Sequence, residues 1–460
     1  MEKGIKKRFL KTTFNLLTNL SDESIIKVLS LGEKIIVRKD ITSQIKDLKI
    51  LFKNKHPSLE LVKKILKNSS KNCREKLIEN FFINAVILNR QKQEKLRKKL
   101  GFGLPWFFVI SPTARCNLDC IGCYAGSYVK EEGLSFEEID RIFTEAKELG
   151  IYFITVSGGE PFIRKDLLDI FKKHNDMYFQ VYTNSTLITK ELAQKLSKLG
   201  NVAPGISIEG FEKETDSRRG KGTFKKIMQA MDNLKEAGVP FGFSITPTSL
   251  NYDIIASEKF MDMLIDKGCS FGWYFQYVPI GKKPDTSLMC APQQRVKLGK
   301  WVDKIRNEKP IFIGDFWNDG PYVCGCIAGA RPQGGYFHIN CKGDVEPCVF
   351  LQFSVDNIKG KKLIDVIQSP FFKAIQYAQP YCKNKNLCTP CALIDNPWVL
   401  RHVVKTYGAK PSYNGGNDII DDPKIKSFLD NYSKEMHEIT KDAWEKEISL
   451  HHKHWKDIEE

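Results

Sequence analysis

Between residues 105 and 278 short apolar runs alternate with stretches of helical periodicity, and this alternation constrains the fold more than any other feature of the 460-residue chain. Residues 106–110, 151–156, 178–182, 203–208, 241–245 and 272–278 read as strands, being short, apolar and bounded by turn residues. Between them residues 136–149, 190–199 and 224–237 repeat apolar side chains at three- and four-residue spacing, the period of an amphipathic helix. Strand, helix and strand in that order predict an α/β fold of six βα units around a parallel sheet. Chemistry in such folds sits at the carboxyl ends of the strands. Three segments fall on that edge: the loop from Cys116, Gly158-Gly159-Glu160 and Thr183-Asn184.

The first of these is the most specific. Cys116, Cys120 and Cys123 stand at CxxxCxxC spacing directly after the first apolar run. Three thiolates on one short loop suit three irons of a cubane 4Fe-4S cluster, because soft sulfur ligands favour iron-sulfur chemistry. The fourth iron is then open to bind and cleave a small molecule. A zinc site, or three unconnected thiols, is the alternative. Zinc sites usually come as paired CxxC or CxxC/HxxxH units, and no His or fourth Cys neighbours this loop in sequence. The paired glycines Gly158 and Gly159 let backbone approach a ligand closely, although a GG pair alone is only a turn.

In these residues the chain resembles the radical SAM superfamily, over roughly residues 105–391. The resemblance implies an incomplete (β/α)6 barrel and a cluster on Cys116, Cys120 and Cys123 whose unique iron takes the amino and carboxyl groups of S-adenosylmethionine. Reduction then yields a 5′-deoxyadenosyl radical that takes hydrogen from an unactivated C–H. Gly158, Gly159 and Glu160 match the motif that meets the methionyl amino group, Glu160 ordering the loop. Tyr182-Thr183-Asn184-Ser185-Thr186 resembles a T-N-G-T signature with Ser185 in the glycine position. Ser207 and Glu209 match a hydroxyl and an acid that reach the ribose, and Arg219 in Arg218-Arg219-Gly220-Lys221-Gly222 matches an arginine that pairs with the cofactor carboxylate as a fork. Where relatives often carry an aromatic residue against the adenine, this chain has Gly122, and Tyr124 is the neighbouring aromatic.

Seven of the 13 cysteines lie between Cys324 and Cys391. Clustered cysteines in a chain of this size point to metal rather than disulfides. Cys326, Gly343-Asp-Val-Glu-Pro-Cys348 and Cys388-x-x-Cys391 resemble the SPASM or twitch extension, which implies an auxiliary 4Fe-4S cluster on Cys326, Cys348, Cys388 and Cys391. Cys324, Cys341 and Cys382 are alternates, and a structural zinc is the competing reading. Cys73, Cys269 and Cys290 read as buried apolar fillers. His451, His452 and His454 near the end read as a surface tail.

Charge separates the first part from the rest. Residues 1–104 hold 25 Lys and Arg against 10 Asp and Glu, so about +15 of the formal +16 lies ahead of the cysteine loop. With Phe9, Phe14 and Leu17 on one face and Lys6, Lys7 and Lys11 on another, the first helix suits either a solvated surface or an anionic membrane. Nucleic acid is a weaker fit. No apolar stretch reaches the roughly 20 residues of a membrane span, and the N-terminus does not read as a secretory signal. The expectation is a cytoplasmic enzyme, soluble or peripheral at the inner face of the membrane. Its divisions are a basic helical region (1–104), a partial barrel (105–320), a cysteine-rich auxiliary domain (321–395) and a helical tail (396–460). An electron donor such as flavodoxin or ferredoxin and a peptide or protein substrate are expected. Membrane-lipid chains are the alternative substrate, and a non-catalytic redox or binding protein the second alternative.

Overall fold

The computed structural model describes residues 53–448 apart from 129, 131–132, 333 and 382–384, together with 21, 23–24, 26–27, 30 and 49–50. The Phe9, Phe14 and Leu17 stripe, Cys382 and the three C-terminal histidines lie outside the described residues.

The six predicted strands are present as β1 (Phe107–Ile110), β2 (Phe153–Val156), β3 (Tyr178–Thr183), β4 (Val202–Ser207), β5 (Gly242–Ile245) and β6 (Phe271–Tyr274). All pair in parallel and in sequence order. A seventh parallel strand, β7 (Phe312–Asp315), continues the sheet beyond β6. The sequence reading missed it because Phe312–Asp315 holds only two apolar residues and ends on an acid. At the other edge the sheet takes up β8 (His338–Ile339) and β9 (Asp344–Glu346) from the cysteine-rich region, β8 running parallel to β1. The auxiliary region is thus hydrogen-bonded to the first barrel strand. The sheet stays open, since β7 ends one side and the short strand Asp356–Asn357 the other.

The crossover helices carry the expected local signals. Ser135 and Glu138 form a capping box at the helix Phe136–Glu148, which buries Ile139, Ile142, Phe143 and Ala146. Thr189 and Ser257 cap Lys190–Leu199 and Glu258–Lys267 by accepting from the amides of Leu192 and Phe260. Cys73, Cys269 and Cys290 are all buried.

The described part of the basic N-terminal region closes the end of the barrel away from the cysteine loop. In the π-type helix Leu77–Leu88, Phe81 meets Trp106, Phe153 and Tyr178, with ring centroids 5.4–6.3 Å apart. Trp106 Nε1 donates to the Ala85 carbonyl at 3.0 Å, and Asn80 Nδ2 to the carbonyls of Asn175 and Met177. Lys64, Lys76 and Lys92 donate to the carbonyls of Ile265, Asn175 and Lys147. Lysine charge near helix C-termini opposes the macrodipole favourably. These three lysines are therefore tied to the barrel.

Candidate functional site

Ser157-Gly158-Gly159-Glu160 leaves β2 and lies against the segment that leads into the cysteine loop. The amide of Ser157 donates to Ile110, that of Gly159 to Thr113, and that of Glu160 to Arg115, at 2.8–2.9 Å. Both glycines are required. Gly158 has φ +121°, and a Cβ there would lie 2.4 Å from the Thr113 carbonyl oxygen; a Cβ on Gly159 would lie 2.1 Å from that of Arg115. The pair thus lets two backbones touch just ahead of Cys116.

Glu160 is fully buried and accepts from three groups: the Phe162 amide and the Thr183 hydroxyl on Oε1, and the Asn184 amide on Oε2 at 2.7 Å. Burial pushes its carboxyl up to about 7, against the lowering effect of those donors. The carboxylate joins the end of β2 to the end of β3. Asn184 then turns its Nδ2 toward Cys116 Sγ at 3.7 Å and Asn117 Oδ1 at 2.9 Å, while its Oδ1 accepts from Thr186. Ser185, in the glycine position of the resembled signature, adopts φ +59°.

Cys116, Cys120 and Cys123 are half-buried, and Cys123 is within electrostatic reach of the other two. Beside them Glu209 is sealed from water at the end of β4. Its Oε1 accepts from Arg218 Nη1 at 2.5 Å and from Arg219 Nε and Nη2 at 2.8 and 2.5 Å, and its Oε2 accepts from the Thr246 amide. Two side chains expected to meet a cofactor separately are therefore each other's partners. Arg219 Nη1 lies 4.0 Å from Cys120 Sγ. Arg218 also reaches the carbonyl of Ile121, so this arginine pair holds the middle of the cysteine loop. Ser207 is half-buried on the same edge.

Tyr124 does not take the place opened by Gly122. Its hydroxyl bonds Ser157 Oγ at 2.7 Å and its ring leans on Phe350. The aromatic ring against Gly122 belongs to Tyr277, whose Cε2 would lie 2.6 Å from a Cβ at that glycine. Sequence reasoning missed Tyr277, and the unusual glycine was the only signal for it.

In the second set, Cys326, Cys348 and Cys391 come within electrostatic reach of one another, and Cys388 lies on the loop of Cys391. Burial pushes all three thiols up to about 12. Each sulfur accepts from the amide two residues on: Cys326 from Ala328, Cys348 from Phe350 at 3.4 Å, and Cys391 from Leu393 at 3.3 Å. Cys116 does the same with Leu118 at 3.4 Å. A buried sulfur wrapped by its own backbone amide suits a thiolate ligand, whereas the filler Cys73 points its sulfur at the Ser197 carbonyl. Among the described residues no three His, Cys, Asp or Glu side chains converge around a single ion. A cubane spreads its thiolates over several irons instead of gathering them on one ion. The loop of Cys388 and Cys391 is braced by the fully buried pair Arg295 and Asp395: Asp395 Oδ2 accepts from the Cys391 amide at 3.0 Å, and Arg295 reaches the Cys388 carbonyl at 3.5 Å. Of the alternates, Cys324 is exposed, and Cys341 packs with Tyr128, Tyr413 and Cys123, away from this set.

One polar network joins the two regions. His338 on β8 bonds Ser111 Oγ at 2.8 Å and Glu346 Oε2 at 2.6 Å, and Glu346 Oε1 accepts from Tyr128 and Asn340 at 2.8 and 2.9 Å. All five residues are buried.

Comparison with known proteins agrees with this layout. The radical SAM superfamily model matches residues 110–261, which run from the end of β1 into the helix before β6. The chain carries a radical SAM domain. A second model, SPASM, an iron-sulfur cluster-binding domain, matches residues 331–392, so the radical SAM core is followed by a SPASM domain. S-adenosylmethionine and 4Fe-4S clusters are the cofactors of these two domains. The chain is 34% identical to Fe-coproporphyrin III synthase of Methanosarcina barkeri over 46% of its own length and 56% of that protein. It is 33% identical to mycofactocin maturase MftC of Mycolicibacterium smegmatis, over 54% and 66%. It spans little more than half of the first of these relatives and about two thirds of the second. Streptococcus suis SuiB bound to S-adenosylmethionine shares the fold, with a TM-score of 0.55 at 20% identity over 66% of this chain and 76% of that one. No helix among the described residues is long and apolar enough to cross a membrane.

Proposed function

We propose that this radical SAM protein is an enzyme that reductively cleaves S-adenosylmethionine and removes hydrogen from an unactivated C–H of a peptide or protein. The observation that carries the reading is the convergence, on one sheet edge, of the three-cysteine loop, the Gly158-Gly159-Glu160 loop and the Glu209–Arg219 pair. In this reading Cys116, Cys120 and Cys123 hold the first cluster, and Tyr124, Gly158, Gly159, Glu160, Asn184, Ser207, Glu209 and Arg219 shape the cofactor site. Cys326, Cys348, Cys388 and Cys391 hold the auxiliary cluster, and the chain divides near residues 104, 320 and 395. When bound and reduced, the first cluster supplies the electron that breaks a sulfur–carbon bond of the cofactor. The protein's own part is to orient and to exclude water. Glu160 fixes the two loops, Asn184 steadies the Cys116 sulfur, and Arg218 holds Ile121 and Gly122. The likeness to mycofactocin maturase and to SuiB, which has also been crystallised with its precursor peptide SuiA, supports a peptide substrate.

Reduced, anaerobically reconstituted protein is expected to convert S-adenosylmethionine to 5′-deoxyadenosine and methionine. Alanine at Cys116, Cys120 and Cys123 together abolishes this; unchanged cleavage in that variant overturns the reading. Iron is expected at about eight per chain, falling to about four in the same variant.

A tetrapyrrole substrate is the second reading, favoured by the 34% identity to Fe-coproporphyrin III synthase and by an aromatic wall of Tyr182, Trp273, Phe275, Phe316 and Phe350. Deuterium transfer into 5′-deoxyadenosine from labelled peptide or from labelled porphyrin separates the two. A lipid substrate rests on the basic residues 1–104, whose Phe9, Phe14 and Leu17 would drive binding to anionic vesicles. Sedimentation that survives polar substitution of all three removes that support. Flavodoxin or ferredoxin is the proposed electron donor, and the cytoplasm, or the inner membrane face, the proposed location.

A further inference from the structure

The Cys348 sulfur has a second donor besides its own backbone. Tyr336 Oη lies 2.8 Å from Cys348 Sγ, and both residues are buried. The phenol cannot swing away from this contact without repacking its surroundings. Its ring stacks on Phe107 of β1 at 5.2 Å with planes 8° apart, and meets Phe316 edge-on at 5.7 Å. Its backbone is pinned as well, the amide donating to Ile327 and the carbonyl accepting from Ala330. Ile327 directly follows Cys326, so one residue holds both the segment of one proposed ligand and the sulfur of another.

A free thiol and a phenol can each donate to the other, but a thiolate can only accept. Once the sulfur is a metal ligand the hydroxyl must therefore donate. A donor to a ligating sulfur withdraws charge from the cluster and favours its reduced form, which raises the reduction potential. We propose that Tyr336 is a positioning residue of the auxiliary cluster, whose hydroxyl donates to the Cys348 thiolate and raises the cluster's reduction potential. This rests on the reading of Cys326, Cys348, Cys388 and Cys391 as a cluster set.

The test uses the full chain with Cys116, Cys120 and Cys123 replaced by alanine, so that any paramagnetic signal belongs to the auxiliary cluster. Tyr336→Phe in that background is expected to keep its iron while the midpoint of a potentiometric EPR titration falls by a tenfold change in the reduction constant, about 59 mV for one electron. Phe107→Leu, which loosens the ring but keeps the hydroxyl, leaves the midpoint in place. The phenylalanine variant also loses one strongly coupled proton that exchanges in D2O, seen by pulsed EPR. An unmoved midpoint at equal iron overturns the proposal, as does loss of most of the iron, which would make Tyr336 an assembly residue. Zinc in the parent variant defeats the cluster reading itself and is told apart by metal analysis before any titration.

Discussion

A carboxylate sealed from water and aimed at three donors is an exacting choice of residue, and Glu160 shows what that choice implies. Glutamine keeps the shape but offers one acceptor, so its NH2 must face either Asn184 N–H or the donors on Oε1. Glu160→Gln is expected to weaken S-adenosylmethionine binding about tenfold, the loss of a charge-assisted hydrogen bond, with iron content unchanged in equilibrium dialysis. Protonation has the same effect in the native chain. Because the folded value stands near 7, above the 4.5 of an ordinary glutamate, ionising Glu160 costs stability, a contribution intact below about 4.5 and lost as pH rises to 7. Binding runs the other way, since the ionised form is the one that accepts. Affinity should fall as pH drops through 7 in the native protein and stay flat in the glutamine variant; parallel profiles would refute this account. Gly159→Ala is a purely steric counterpart. Its Cβ would stand 2.1 Å from a backbone oxygen, so the first cluster should fail to load while the auxiliary iron remains, as EPR and iron analysis would show.

At the scale of elements, what was legible in the sequence follows from how far apart the partners lie. The six strands, their crossover helices and the loops at their ends are local patterns, and period, glycine pairs and cysteine spacing reveal them. The seventh strand has too few apolar residues to announce itself, and β8 is two residues long. Tyr277, Tyr336, His338 and Arg295 have no motif of their own. Each meets its partner only through folding, as His338 meets Ser111 across 227 positions. The described part of the basic N-terminal region shows the same dependence on distant partners: Leu77–Leu88 plugs the barrel, with Phe81 among Phe82, Trp106, Phe153 and Tyr178. Phe81→Ala is expected to destabilise the protein by about 3 kcal/mol through the cavity it leaves, read from anaerobic urea denaturation. A change below about 0.5 kcal/mol would mean that the plug carries no load.

At the scale of the whole molecule the question is whether the radical SAM core and the SPASM domain fold and load as one unit. The two share one sheet, because β8 pairs with β1, and a buried polar network joins them as well. Glu346 stands two residues before Cys348, Ser111 at the head of the first cysteine loop, and Tyr128 beyond its third cysteine. His338 and Glu346 lie between all of them. Removing the carboxylate leaves His338, Tyr128 and Asn340 with a lost acceptor in a buried site, at about 1–3 kcal/mol for each unsatisfied group. The cost cannot be confined to one domain, since the three orphans belong to both. Glu346→Ala is therefore expected to lower iron at both sites, whereas Cys348→Ala lowers it at the auxiliary site alone. Pairing the substitution with His338→Ala sharpens the test. Residues that act through one another give a double variant whose cost is smaller than the sum of the singles, with coupling of about 0.5–3 kcal/mol. Additive costs, or loss of iron restricted to the auxiliary site in Glu346→Ala, would mean that the domains are merely adjacent and that the first cysteine loop is set by the barrel alone.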